Sequence, residues 1–320
     1  MKSRFPSKNS IDKATVIVPC YNVEAYIQEC LESVALQGDT VHHTYVVDNN
    51  SSDNTVNQVL KWHAANPSFP LTLLSEEKPG ATAARNLPLA RVETKWIQFL
   101  DADDLLMADK IVHQTTSFPE ADVICAASEY LAIDGSKHEK FPEAKIPLAL
   151  MKGLAGNTCA NLFRTSAIKL VDGWDESLES SQETDLMFRL WQAEVTFTQD
   201  IQIKTTIRER RNGQISQHQP RKKWLRYTSL RQQMLREFEK SISVDQMLRV
   251  ELNHAFFDAV RLLAKQDLGE ALKSFNANLA SKNYRPKVNQ INSELYVLAF
   301  CVFGFKNAEI LRKSLLHWRK

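Results

Sequence analysis

From residue 14 to about 130, short apolar runs alternate with stretches whose apolar residues recur every three or four positions. Ala14–Val18 is a continuous run rich in β-branched residues, the pattern of a strand covered on both faces. After it, Val23, Tyr26, Ile27, Cys30, Leu31 and Val34 fall on one face of a helix, with Asn22 placed to cap it. His43–Val47 predicts a second strand, followed by Ser-Ser-Asp-Asn and a helix carrying Val56, Val59 and Leu60. Leu71–Leu74 predicts a third strand. An alanine-rich helix follows Gly80, and Pro88 ends or kinks it. Trp96–Leu100 and Val123–Ala127 predict a fourth and a fifth strand.

That alternation predicts an α/β fold: a Rossmann-like, mostly parallel sheet with right-handed crossovers and helices on both faces. The character changes near Ser216–Pro220. Beyond it, Trp224, Leu225, Met234, Leu235 and Phe238, then Leu248, Leu252, Phe256, Val260 and Leu263, recur at helical spacing. The expected organisation is an N-terminal extension over 1–13, an α/β domain over 14–218 and a helical C-terminal region over 219–320.

Composition removes several function classes. Forty Lys and Arg against 38 Asp and Glu leave +2, so no basic field points to nucleic acid. Nine glycines, with neither G-x-G-x-x-G nor G-x-x-x-x-G-K-[ST], take away the support for a glycine-cradled phosphate. Five cysteines without C-x-x-C spacing indicate neither a zinc ribbon nor a disulfide framework, and read as a reduced, cytoplasmic thiol set. The first 13 residues hold no apolar stretch of the kind a signal peptide needs. The longest apolar run, Leu295–Phe305, is 11 residues, short of the ~20 that a membrane span requires. The expected location is cytoplasmic, with the inner face of the membrane as a refinement.

Candidate chemistry collects at the carboxyl ends of the predicted strands, where open parallel sheets bind ligands. Pro19-Cys20-Tyr21-Asn22 follows the first strand, Asp48-Asn49-Asn50 the second, and Asp101-Ala102-Asp103-Asp104 the fourth. Three carboxylates within four residues repel one another unless a cation sits among them, and oxygen ligands favour Mg²⁺ or Mn²⁺. The alternative is that Asp103 or Asp104 caps a helix beginning near Leu105.

The segments TVIVPCYNVEAYIQECLESVALQ, VVDNNSSDNT, KPGATAARN and WIQFLDADD occur in that order. Together they resemble the donor half of family 2 glycosyltransferases of the GT-A fold, a likeness that runs from about Ala14 to Thr206. The resemblance implies inverting transfer from a nucleoside-diphosphate sugar, with UDP as the expected carrier and Mn²⁺ or Mg²⁺ as cofactor. It assigns Pro19, Tyr21 and Asn22 to the base pocket and Asp48 to the base edge. Asp53 supports that wall or caps a helix. Gly80 lets the backbone approach the nucleotide, Arg85 faces the nucleotide or orders the loop, and Asn86 braces it. Asp101 and Ala102 are placed toward the nucleotide sugar, with Asp103 and Asp101 as metal ligands and Asp104 behind them.

In the acceptor half, the stretch from Asn161 to Glu176 resembles the one that precedes the family's catalytic base. Trp174 is either a stacking surface for a sugar or a core residue. Glu183 aligns with the base, where relatives usually carry Asp. Asp185, two residues on, reads instead as the i, i+4 partner of Arg189. Arg208, Arg210 and Arg211 form either a basic stretch that contacts the diphosphate or a solvated charge run. The acceptor implied is a glycan or a lipid-linked glycan of cell-surface polysaccharide synthesis.

Arg221–Lys240 carries seven basic residues against Glu237 and Glu239. Such helices either lie on an anionic membrane surface or pack on the catalytic domain or a second copy as a homodimer. Two competing classes remain at this point: a sugar-phosphate nucleotidyltransferase, disfavoured by PCYN where that class has a Gly- and basic-rich loop, and a non-catalytic binding protein, disfavoured by the intact Asp48, Arg85, Asp101 and Asp103.

Overall fold

The structure is a computed structural model that describes residues 13–210, 220–241 and 245–317. These divide into two compact units, one of 13–144 with 154–210 and one of 145–153 with the described residues from 220 onward.

The first unit opens with β1 (Ala14–Cys20), α1 (Ile27–Ala35), β2 (Val41–Asp48), α2 (Thr55–Ala65), β3 (Leu71–Ser75), α3 (Ala81–Asn86) and β4 (Trp96–Phe99). It continues through β5 (Leu105–Leu106), α4 (Lys110–Ser117), β6 (Val123–Ala126), β7 (Ser128–Leu131) and β8 (Lys137–Lys140). After α5 (Ile146–Lys152), which belongs to the second unit, come β9 (Leu162–Arg164), α6 (Thr165–Leu170), α7 (Gln182–Gln192), β10 (Phe197–Asp200) and β11 (Thr205–Arg208). The main sheet has the order β10-β6-β9-β4-β1-β2-β3. It is parallel apart from β9, which runs antiparallel to both β4 and β6.

Every residue of β1 is buried, as its apolar run predicts, and α1 turns Ile27, Cys30, Leu31 and Val34 onto it. The chain leaves β1 for β2 and β3 on one side, then crosses to β4 on the other. That reversal opens a crevice at the carboxyl ends of β1 and β4, where this class of sheet receives its ligands. A second sheet, β5-β11-β7-β8, was not legible in the periodicity: β5 has two residues and β8 is Lys-His-Glu-Lys.

Two local expectations need correction. Asn22 does not cap α1, which begins at Ile27. It sits at φ 49°, and its Oδ1 accepts from Ser52 N at 2.8 Å, tying the loop after β1 to the loop after β2. Neither Asp103 nor Asp104 caps a helix near Leu105, because that residue opens β5 and α4 starts at Lys110. Pro88 acts as predicted: α3 stops at Asn86 and gives way to a short 3-10 turn.

The second unit contains α5, α8 (Pro220–Ser241), α9 (Gln246–Ala264), α10 (Leu268–Asn278) and α11 (Glu294–His317), the last interrupted at Gly304. Charged side chains lie inside it. Arg231 donates from Nε to Met151 O at 2.7 Å with its guanidinium 3.2 Å from the centre of the Tyr227 ring, and Arg261 pairs with Glu309 at 2.5 Å. Leu295, Leu298, Val302 and Phe303 of α11 are exposed. Among the described residues, no helix is long and apolar enough to cross a membrane.

Candidate active site

The loops after β1 and β2 are laced together by their own polar groups. Asp53 accepts from Glu24 N at 3.1 Å and, through its other oxygen, from Thr55 N at 2.9 Å and Thr55 Oγ1 at 2.5 Å. Thr55 Oγ1 in turn accepts from Val23 N at 2.8 Å. Asp53 is therefore a cross-link within the loop. Tyr21, 60% exposed, stands clear at the end of β1, while Pro19 is buried within the strand.

Asp48 closes β2 with a buried Oδ1 that has no hydrogen-bond partner, while its Oδ2 takes only a long 3.4 Å contact from Ser51 N. A buried acceptor left without a donor marks a place where a ligand's N–H would fit. Asn49, which the sequence did not single out by itself, organises the next loop. Its Nδ2 donates to Glu76 O and Lys78 O at 2.8 Å, and its Oδ1 accepts from Gly80 N at 2.7 Å. Gly80 sits at φ 130°, a backbone conformation in which L side chains are strained.

Arg85, on α3, is buried and makes two contacts. Its Nη2 donates to Asp101 Oδ1 at 2.5 Å, and its guanidinium lies 4.7 Å from the centre of the Trp174 ring. Arg85 thus orders the acidic loop from beneath. Trp174 is only 3% exposed, wedged edge-on against Phe99 at 5.3 Å, so it packs in the core and offers no open face to a sugar. Asn86 braces this Trp174 turn rather than its own loop: its Nδ2 donates to Trp174 O and Glu176 Oε1 at 2.8 Å, and its Oδ1 accepts from Trp174 N at 2.9 Å. Lys78 pairs with the same Glu176 at 2.6 Å.

The acidic run after β4 is a tight turn, Asp104 N donating to Asp101 O at 2.9 Å. The turn brings a carboxylate oxygen of Asp101, one of Asp104 and the Cys159 sulfur within 4.8 Å of one another. Asp103 faces elsewhere and is salt-bridged to Arg210. The sequence pairing of Asp101 with Asp103 is thus not the pairing that the fold makes, because Arg210, two residues beyond β11, draws Asp103 aside. Arg208 N donates to Asp104 Oδ1 at 2.9 Å, and its side chain bonds Asp103 O and Glu29. Both Arg208 and Arg210 lie over the Tyr26 ring. Ala102 is buried in the turn. Arg211 lies outside the described residues. Burial, with Asp101 and Asp103 close by, pushes the Asp104 carboxyl well above the usual carboxylate range.

The donor set suits a hard divalent cation. Asp101 keeps its side chain 39% exposed and Asp104 brings a second carboxyl oxygen within 4.8 Å of it, which gives oxygen ligands for Mg²⁺ or Mn²⁺. Cys159 is fully buried with its thiol pushed far up, and its sulfur already accepts from Asp101 N at 3.2 Å, so it brings no thiolate to the site.

Glu183 lies in the first turn of α7. Its Oε1 accepts from Thr158 Oγ1 at 2.8 Å, and burial raises its pKa to about 7 against the opposing pull of Thr158 and Arg85. Asp185 is instead held by Arg189 at 2.8 Å, as the i, i+4 spacing predicts, and Arg189 Nη1 also donates to Val171 O and Gly173 O.

The family description "Glycosyl transferase family 2" matches residues 15–168. The chain is 30% identical over 171 residues to the teichoic acid poly(glycerol phosphate) polymerase of Staphylococcus epidermidis, covering 50% of this chain and 23% of that protein. It is 31% identical over 132 residues to the putative teichuronic acid biosynthesis glycosyltransferase TuaG of Bacillus subtilis, covering 41% and 52%. The chain therefore spans between about a quarter and half of the length of these curated relatives. Among solved structures, S. aureus TarS 1-349 in complex with UDP-GlcNAc superposes with a TM-score of 0.58 at 19% identity, over 87% of this chain and 76% of that one. The mannosyltransferase PcManGT from Pyrobaculum calidifontis, in complex with GDP-Man and Mn²⁺, gives 0.55 at 17% identity, over 88% and 80%. Sequence motifs, sheet order and these likenesses agree: residues 15–168 match glycosyl transferase family 2, on a fold of the GT-A type.

Proposed function

We propose that this protein transfers a sugar, with inversion, from a nucleoside-diphosphate sugar to a glycan or lipid-linked glycan acceptor. The observation that carries the reading is the meeting of three groups at one edge of the sheet: Arg85 donates to Asp101 at 2.5 Å, and both bear on the charge of the Glu183 carboxyl. The names of the relatives, in teichoic and teichuronic acid synthesis, support a cell-surface polysaccharide as the product class.

In this reading Tyr21 and the unpartnered Oδ1 of Asp48 receive the base, UDP being the carrier that the sequence resemblance favours. Asn49 and Gly80 shape the neighbouring wall. Asp101, with the Asp104 carboxyl beside it, would hold a divalent cation, which when bound stabilises the charge gathering on the departing nucleoside diphosphate. Arg210 sits on Asp103 and lies ready to contact the diphosphate oxygens. Glu183 takes the proton of the attacking acceptor hydroxyl. A group raised to about 7 is matched to that task near neutral pH, since it is ionised there yet basic enough to accept the proton.

For the helical unit, the exposed apolar residues of α11, with the exposed Lys306 and Lys313 beside them, support contact with an anionic lipid surface. Co-sedimentation with vesicles of anionic and neutral lipid tests it, and equal partition to both removes the electrostatic part.

The experiment for the reaction is a thermal-shift screen of nucleotide sugars with and without Mn²⁺. A selective donor raises the melting temperature by mass action. Turnover of that donor follows, with Glu183→Gln as the control: unchanged donor affinity with kcat lowered by roughly 10²–10⁴-fold is the signature of a lost general base. Full turnover by Glu183→Gln reassigns the base.

A further inference from the structure

Glu183 rests against a turn whose construction the reading above does not use. Residues 155–161 are locked from several sides. Gly156 sits at φ +81°, and a Cβ there would lie 1.9 Å from Asn161 Oδ1 and 3.0 Å from Ala126 N. The fully buried Asn161 accepts from Ala126 N at 2.9 Å and donates to Ala155 O at 3.0 Å, fastening the turn to the end of β6. Asn157 Oδ1 accepts from Cys159 N at 2.8 Å, Asn157 O accepts from Ala160 N and Asn161 N, and Asn157 Nδ2 reaches Tyr130 Oη at 3.5 Å. Thr158, 6% exposed, is the residue this scaffold holds toward α7.

We propose that Thr158 is a positioning residue: its hydroxyl, fixed by the 155–161 turn, holds the Glu183 carboxylate in the orientation from which it receives the acceptor's proton. The proposal rests on the reading of Glu183 as the base. Its physical content is a 2.8 Å hydrogen bond, donated to a half-buried carboxylate. Such a bond is stronger than one between neutral groups and favours the charged form. The Thr158 backbone also hydrogen-bonds the carboxylate and is unchanged in either variant below, so their comparison reads the hydroxyl alone. Arg85 on α3 favours the anion but is engaged with Asp101, Asp101 after β4 opposes it, and Tyr130 of β7 and Cys125 of β6 are uncharged at neutral pH with pKa values raised by burial.

The experiment compares Thr158→Val, which keeps the shape and removes the donor, with Thr158→Ser, which keeps the donor. Two readouts are taken: the Glu183 titration by carboxyl ¹³C NMR of Glu-labelled protein, and the pH dependence of kcat/KM with the donor found by the thermal-shift screen. Expected for Thr158→Val is a midpoint about one pH unit higher in both, the size of one charge-assisted hydrogen bond. A tenfold or greater loss of kcat with donor Kd within twofold should accompany it. Thr158→Ser should stay within threefold of the parent. Unmoved midpoints, or equal losses in Val and Ser, overturn the proposal. If instead the NMR midpoint moves while Glu183→Gln keeps full turnover, the hydrogen bond is real and the base assignment is what has failed.

Discussion

Two arginine–carboxylate pairs in this protein have the same 2.5 Å separation and opposite settings. Arg261–Glu309 in the helical unit is sealed, at 2% and 0% side-chain exposure. The Tyr296 ring lies 3.2 Å from the Arg261 guanidinium, Asn292 Oδ1 accepts from Arg261 Nη1 at 2.7 Å, and Arg312 takes the second Glu309 oxygen at 2.8 Å. Arg85–Asp101 has an equally buried arginine, but its carboxylate is 39% exposed. In the first pair both charges are closed off from solvent. In the second the carboxylate is aimed by its arginine and still reaches solvent, so it can take up a cation without first being unearthed. The same ion pair is thus a fixed strut in one place and an aimed, solvent-open carboxylate in the other, and solvent access makes the difference.

The largest expected effect belongs to the sealed pair. Glu309→Ala leaves Arg261 charged and buried, and should cost about 3–5 kcal/mol of stability. Chemical denaturation measures it, and a loss below about 1 kcal/mol would show that water reaches the pair.

Asp101→Asn should do the reverse. Donor binding in Mn²⁺ falls at least tenfold by calorimetry, about 1.4 kcal/mol, while the denaturation free energy moves by less than about 1 kcal/mol. A large stability loss with normal donor affinity would make this pair a strut as well.

The pH response sharpens the contrast. The Glu183 pKa is raised to about 7, so if the carboxylate is the proposed base, kcat/KM should rise about tenfold per unit up to about pH 7 and then level off. Folding has the opposite sign. Burying this group is tolerated while it is protonated and costs stability as pH climbs from the ordinary carboxylate value toward 7. Melting temperatures across that range check the second statement, and kinetics the first.

The smallest effect is predicted for Asp185→Asn. Its partly exposed pair with Arg189 contributes no more than about 1 kcal/mol, and turnover should stay within twofold. Loss of turnover here would move the catalytic role from Glu183 to Asp185.

Much of this was readable from local pattern. The runs at Ala14–Val18 and Trp96–Leu100 became the two strands flanking the crevice, and the polar residues that follow each of them stand at its rim. What could not be read depends on partners distant in the chain. Asp103 meets Arg210 and Asp104 meets Arg208, each more than a hundred residues later. Trp174 reads equally as a stacking surface or a core residue until Phe99 and Arg85 enclose it. Thr158 carries no motif at all; only the turn built by Gly156 and Asn161 brings its hydroxyl to Glu183.

The sequence by itself determined the alternating strands and helices as far as β4, the edge on which polar residues gather, and the resemblance to the family. Those follow from periodicity and from short motifs, which neighbours along the chain define. Tertiary structure alone decided which carboxylates are open and which are paired, why Asp104 and Glu183 hold their protons more tightly than ordinary carboxyls, and that residues 145–153 leave the α/β unit for the helical one. Charge state and solvent access depend on everything within a few ångströms of a group, and in this fold those neighbours come from segments far apart in the chain.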